Sequence, residues 1–189
     1  MNRLNLKQIM QNTGIILEGA DQSGKSTLAE KISKLTGHNV IHYDPPQDVT
    51  DFYTEYTKFL LPGNKAIVDR NYMSEMVYGK MIRNGSGVTE LIKKQIETSL
   101  YNQNYVLVLC HRKDFGEWNF DTRKELFNRS QIMEVRSEYL LQFNNIALPK
   151  ITIDPFENDC IWDIIELCII AWNGKQMHDL SNMLGSSEL

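Results

Sequence analysis

One octapeptide near the N-terminus of this 189-residue chain carries its most explicit chemistry. Gly19-Ala20-Asp21-Gln22-Ser23-Gly24-Lys25-Ser26 follows the pattern G-x-x-x-x-G-K-[ST]. Its two glycines let the backbone take positive φ and bring N–H groups up to phosphate oxygens. A helix beginning near the lysine points its positive end at the same oxygens. The lysine then reaches the terminal phosphates, and the hydroxyl after it ligates Mg²⁺. Gly19, Gln22, Ser23, Gly24, Lys25, Ser26 and Thr27 are therefore expected to wrap a nucleotide's phosphate chain, with Ser26 on the metal. A glycine-rich turn that binds nothing is the competing reading. The aliphatic run "GIIL" before the loop and the helix-like stretch after it speak against that reading.

Nucleotide binding leaves several classes open, and two absences narrow them. The sequence has no Asn/Thr-Lys-x-Asp tetrapeptide of the guanine-reading kind. It also has no Asp-Glu pair closing an aliphatic strand, as ATP-driven motors carry. A small phosphotransferase fits better than a switch or a motor. Asp69-Arg70 follows the aliphatic run "AIV". An acid at the end of a parallel strand sits where such sheets bind ligands, and Asp69 is expected on Mg²⁺ or its water shell. Arg70 beside it presents a guanidinium, a group able to fork onto a phosphate or onto a carboxylate. An internal Asp–Arg ion pair that only shapes the turn is the alternative.

The elements that must position these groups alternate along the chain. A short leading helix is expected over Leu4 to Met10 and a buried strand over Gly14 to Glu18. A helix follows over Lys25 to Leu35 and a strand over Asn39 to Tyr43. Helix is expected over Asp51 to Leu61, then a strand over Lys65 to Asp69. Helices over Tyr72 to Ile82 and Thr89 to Tyr101 precede a strand over Tyr105 to Cys110. A helix over Lys124 to Asn144, a strand over Ile151 to Asp154 and a helix over Glu157 to Trp172 complete the series. Five strands separated by helices predict an α/β fold: a five-stranded parallel sheet with helices on both faces, in three layers. Residues 1–173 are expected to form a single domain, and 174–189 a polar C-terminal tail.

Bulk properties set limits on partners and place. A formal net charge of −4 argues against a protein that coats nucleic acid, so no stable nucleic-acid binding is expected. Cys110, Cys160 and Cys168 lie in apolar runs without metal-ligand spacing and read as buried reduced thiols. The N-terminus lacks the sustained apolar core of a signal peptide. The apolar stretch from Cys160 to Trp172 is interrupted by Asp163 and Glu166 and is too short to span a bilayer. A soluble cytoplasmic protein with no membrane association is expected.

The stretch "EGADQSGKST", with Glu18-Gly19 and an Asp inside the loop, resembles the phosphate loop of thymidylate kinases. "VDRNYMSEMVYG" resembles that family's Asp-Arg-Tyr…Ser…Ala-Tyr segment with the spacing kept. "RKELFNRSQIMEVRSEYL" resembles its lid and following helix, with Arg136 and Tyr139, and "ITIDPFEND" resembles its last strand. The resemblance covers roughly residues 14 to 172 and implies a P-loop kinase fold with a lid at about 112–124. It implies ATP and Mg²⁺ as cofactors, a small-molecule nucleotide as substrate and a homodimer as the assembly. Asp21 would bind the sugar 3′-hydroxyl, unless it only orders the loop through its own backbone. Arg70 would clamp the acceptor phosphate as a charge-assisted fork. Ser74 and Tyr78 would lie near the acceptor nucleoside, with the Tyr78 ring where a 2′-hydroxyl would sit; a core aromatic is the alternative for Tyr78. Positive charge on the migrating phosphoryl group would come from lid arginines, Arg123 first and Arg129 second, because the residue after the loop Asp is Gln22 rather than Arg. Arg112 is the further candidate. The chain is compact, as viral versions of cellular enzymes can be, and a host cytoplasm would then be its location.

Three departures lie on the acceptor side. The turn "YDPPQD", Tyr43 to Asp48, has no Arg; the residue after Asp-Arg is Asn71; and Gly79 stands where a Gln often follows Ala-Tyr. The acceptor implied by the resemblance is dTMP or a related, modified pyrimidine deoxynucleoside monophosphate. A deoxynucleoside or modified-base kinase is the alternative that the missing Arg favours. A non-catalytic nucleotide-binding protein is the third reading, and an intact Lys25, Ser26 and Asp69 speak against it.

Overall fold

A computed structural model of the chain describes residues 3–44, 49–61, 63–113 and 127–185. The elements run α1 (Arg3–Gln11), β1 (Gly14–Glu18), α2 (Lys25–Thr36), β2 (Asn39–His42), α3 (Phe52–Thr57) and β3 (Ala66–Asp69). They continue as α4 (Tyr72–Arg83), α5 (Glu90–Asn102), β4 (Tyr105–Cys110), α6 (Arg129–Asn144), β5 (Lys150–Ile153) and α7 (Cys160–Gly185). The five strands form one sheet in the order β2-β3-β1-β4-β5, and every neighbouring pair is parallel. The expected α/β architecture is therefore present.

Alternation along the strands divides the core. Ile16, Val68, Leu107 and Leu109 pack with α3, α4, α5 and α6 on one face of the sheet. Ile15, Leu17, Ile67, Val106 and Val108 pack with α1, α2 and α7 on the other. With both faces covered, β1, β3 and β4 are buried along their whole length, which is why they read as unbroken aliphatic runs. β2 and β5 are edge strands and correspondingly more exposed.

Several element ends differ from the sequence reading, each for a local reason. α3 begins at Phe52 because Asp51 caps it, accepting from the Thr54 N–H at 3.0 Å. α6 begins at Arg129, not Lys124. Asn128 and Gln131 form a reciprocal capping box there, each side chain accepting from the other's backbone N–H at 3.0 Å. α7 starts at Cys160, after turns that follow β5, and runs past Trp172 to Gly185; no proline interrupts residues 173–185. Arg123, residues 45–48 of the turn after β2 and most of the expected lid lie outside the described residues.

Candidate active site

The parallel sheet aligns the carboxyl ends of its strands along one edge, where ligands bind in such folds. The loop from Gly19 leaves β1 at this edge and runs into α2. Gly19 (φ +144°) has no room for a side chain, since a Cβ would overlap the Cys110 carbonyl oxygen from β4. Gly24 (φ +90°) is the N-cap of α2 without a side-chain cap, so the first N–H groups of the helix remain open to an anion. The Lys25 ammonium is buried and folds back over its own loop, donating to the Ala20 carbonyl at 2.6 Å and to Ser23 Oγ at 3.3 Å. Burial, with the Arg70 guanidinium nearby, pulls Lys25 down to about 8.

Ser26 Oγ donates to Asp69 Oδ2 at 2.7 Å, joining α2 to the end of β3. His42 Nδ1, at the end of β2, lies 3.2 Å from the same oxygen. The other oxygen, Asp69 Oδ1, is buried and has no hydrogen-bond partner among the described residues. A carboxylate oxygen left open beside a serine hydroxyl and a phosphate loop fits a hard cation. Mg²⁺ takes one or two such protein ligands and completes its shell with water and phosphate oxygens. Ser26 and Asp69 are thus the residues suited to Mg²⁺.

Arg70 takes a left-handed backbone (φ +72°). That bend turns its side chain across the site to pair with Asp21 of the phosphate loop. Its guanidinium lies 5.2 Å from the centre of the Tyr78 ring. The internal pair that forms is therefore Asp21–Arg70, and Asp69 turns to Ser26 and His42 instead. A cavity of about 680 Å³ opens between the loop and α4. Asp21, Gln22, Ser23, Gly24, Lys25, Ser26 and Thr27 line one side of it, and Arg70, Ser74 and Tyr78 the other. Arg129 is on the exposed first turn of α6 and is not among the residues lining the cavity.

The structure adds residues that sequence reasoning did not assign. Glu18 is fully buried at the end of β1 and holds the start of α4. It accepts from the Asn71 N–H at 2.8 Å, the Ser74 N–H at 3.3 Å and Ser74 Oγ at 2.5 Å. Ser74 Oγ is also 2.7 Å from Tyr139 OH of α6. Burial raises the Glu18 carboxyl to about 7 against the opposing pull of these hydrogen bonds. The signal available in sequence was a lone acid closing an aliphatic strand. His42, Asp44, Glu75 and Arg83 also line the cavity. At the end of β4, Arg136 of α6 donates to the Arg112 carbonyl at 2.6 Å and lies 3.1 Å from His111 Nε2. The Arg112 guanidinium sits 4.4 Å from the Phe156 ring centre. Phe156 borders Gly24, whose Cβ would come within 3.1 Å of it. Asp154 fixes this corner by accepting from the Lys113 N–H at 2.7 Å and the Phe156 N–H at 3.0 Å.

No protein-family model matches the chain. No curated protein matches it either. Solved structures do. The YorR protein of Bacillus subtilis, in complex with phosphorylated GDP, superposes with a TM-score of 0.70 at 24% identity, over 85% of this chain and 98% of that one. Polyphosphate kinase 2 of Arthrobacter aurescens TC1 superposes with a TM-score of 0.62 at 13% identity, over 91% of this chain and 75% of that one. At these identities the likeness establishes a shared fold.

Proposed function

We propose that this protein is an ATP-dependent phosphotransferase that passes the γ-phosphoryl group to a small nucleotide-type acceptor in the cavity facing the phosphate loop. The observation that carries this reading is the convergence beside the phosphate loop of a buried Lys25, a Ser26–Asp69 contact of 2.7 Å and an Asp69 oxygen with no hydrogen-bond partner among the described residues. Bound there, Mg²⁺ would supply Lewis-acid charge to the phosphate oxygens. The chain's own residues do the rest. Loop amides and the α2 N-terminus hold the donor phosphates, and Lys25 places charge on the terminal ones. Arg70, paired with Asp21 and lining the cavity, would leave that carboxylate for phosphate oxygens. Asp21, once released, can accept a sugar hydroxyl. Arg123 of the lid remains the first candidate for further positive charge, and Arg129, on the first turn of α6, the second.

The resemblance to thymidylate kinases supports a pyrimidine deoxynucleoside monophosphate as acceptor, with thymidylate itself the family's substrate. A specific observation favours a second reading, an unphosphorylated nucleoside. The turn "YDPPQD" carries no cation, and exposed Asp44 of that turn lines the cavity. A carboxylate there suits a hydroxyl better than a phosphate. Steady-state ADP release with Mg·ATP decides between the two. Turnover of monophosphates, lost in Lys25→Ala, supports the first reading. Turnover of nucleosides alone supports the second. A protein that binds ATP and turns over no acceptor of either kind contradicts both.

A further inference from the structure

Asn71, Glu75, Gly79 and Arg83 recur every four residues at the start of and along α4, which puts them on one face of the helix. Asn71, Glu75 and Arg83 line the cavity, across from the phosphate loop. Arg83, half exposed, donates to Glu75 Oε1, and the Glu75 side chain is almost wholly buried. The glycine between them makes the contact possible. A Cβ at Gly79 would lie 2.9 Å from Glu75 Oε1, 2.9 Å from the Gly85 carbonyl and 3.1 Å from Arg83 Nη2. Asn71 is 1% exposed, and its amide nitrogen contacts the Tyr56 carbonyl at 3.4 Å. Asn71 Oδ1 is buried without a hydrogen-bond partner among the described residues. A buried carbonyl oxygen in that state calls for a donor. Two of the three departures noted in the sequence, Asn71 and Gly79, thus fall on this stripe and change the hydrogen-bonding character of one wall.

We propose that this stripe reads the acceptor's base and selects one with an exocyclic amino group beside a ring nitrogen acceptor. That is the edge of cytosine, and adenine shares it. The inference rests on the phosphotransfer reading above. The two N–H bonds of the amino group go to the Glu75 carboxylate and Asn71 Oδ1, and Arg83 donates to the ring nitrogen. Thymine and uracil carry a carbonyl where the amino group stands, so they set acceptor against acceptor and leave Asn71 Oδ1 unpaired. Within the pyrimidines the stripe therefore selects cytosine over thymine.

The test compares kcat/KM with Mg·ATP for dCMP, dUMP, dTMP, dAMP and dGMP and their nucleosides, in wild type and in Glu75→Gln. The expected result is a preference of about tenfold or more for dCMP or deoxycytidine over its uracil counterpart. The dAMP arm separates a cytosine source from an adenine source of the same edge. In Glu75→Gln, whose amide can donate to a carbonyl, that ratio falls about fivefold or more. Should Glu75→Gln fail to fold, Asn71→Ala must narrow the same ratio. Equal or better use of dTMP, dUMP or dGMP overturns the base assignment and leaves phosphotransfer standing. Silence with every acceptor overturns phosphotransfer itself, and the base assignment with it.

Discussion

Replacing Glu18 with glutamine should flatten the pH dependence of this protein's stability. Glu18 has no exposed surface, and burial lifts its carboxyl from 4.5 to about 7. An acid with a raised folded-state pKa binds its proton more tightly when folded. Its contribution is fully present below about pH 4.5, the unfolded value, and is lost as pH rises through about 7. The rise from 4.5 to about 7 corresponds to about 3 kcal/mol across the whole window, most of which falls between pH 5 and pH 8.5. For a chain of 189 residues that amounts to about 5–10 °C in Tm. Glutamine is an isostere of the protonated acid: its oxygen can accept from the Asn71 and Ser74 N–H groups and its amide can donate to Ser74 Oγ. It carries no titrating proton. Thermal unfolding of both proteins at half-unit steps from pH 5 to pH 8.5 reads the difference directly. Wild type should lose stability relative to Glu18→Gln as pH rises, with the change centred between pH 5 and pH 7. Parallel curves across the range would refute the claim that a buried, titrating carboxyl anchors α4.

Three further outcomes follow from the site. Because Lys25 is held near 8 in the free protein, ATP affinity should weaken above pH 8. Binding at pH 8.5 should take up a proton as the phosphates restore its charge, which calorimetry in buffers of different ionisation heat measures. Asp69→Asn should raise the Mg²⁺ concentration for half-maximal activity about 10- to 100-fold, read from a Mg²⁺ titration at fixed ATP, with Tm changing far less. Gly24→Ala forces a side chain into φ +90° and to 3.0 Å from Pro155, so ATP binding by fluorescence titration should weaken and stability should fall by about 1–3 kcal/mol.

Legibility in the sequence follows the range of the interaction concerned. The phosphate loop was readable because its chemistry is local: two glycines, a lysine and a serine act within one turn and one helix start. Asp69 and Arg70 were readable one level up, from the end of an aliphatic strand. Their partners were not. Arg70 pairs with Asp21 and Asp69 with Ser26, contacts 49 and 43 residues apart that depend on how β3 lies against β1. Glu18 was visible as a residue of the motif, but its role needed α4 to dock its first turn over the end of β1. Glu75 carries no signal in the sequence and is nearly buried, where Arg83, eight residues on, folds back over Gly79 to meet it. Helix ends slipped where caps decided them, at Asp51 and Asn128, since a side chain able to cap is equally able to sit inside a turn.

Transfer of a phosphoryl group to a nucleotide-type acceptor can be seen by following a label. The protein is incubated with γ-labelled Mg·ATP and each nucleoside or nucleoside monophosphate, and the label is located by chromatography. Label should appear on the acceptor, at a rate that Lys25→Ala lowers about a hundredfold or more. Label found only in free phosphate, or left on ATP with every acceptor present, would contradict it.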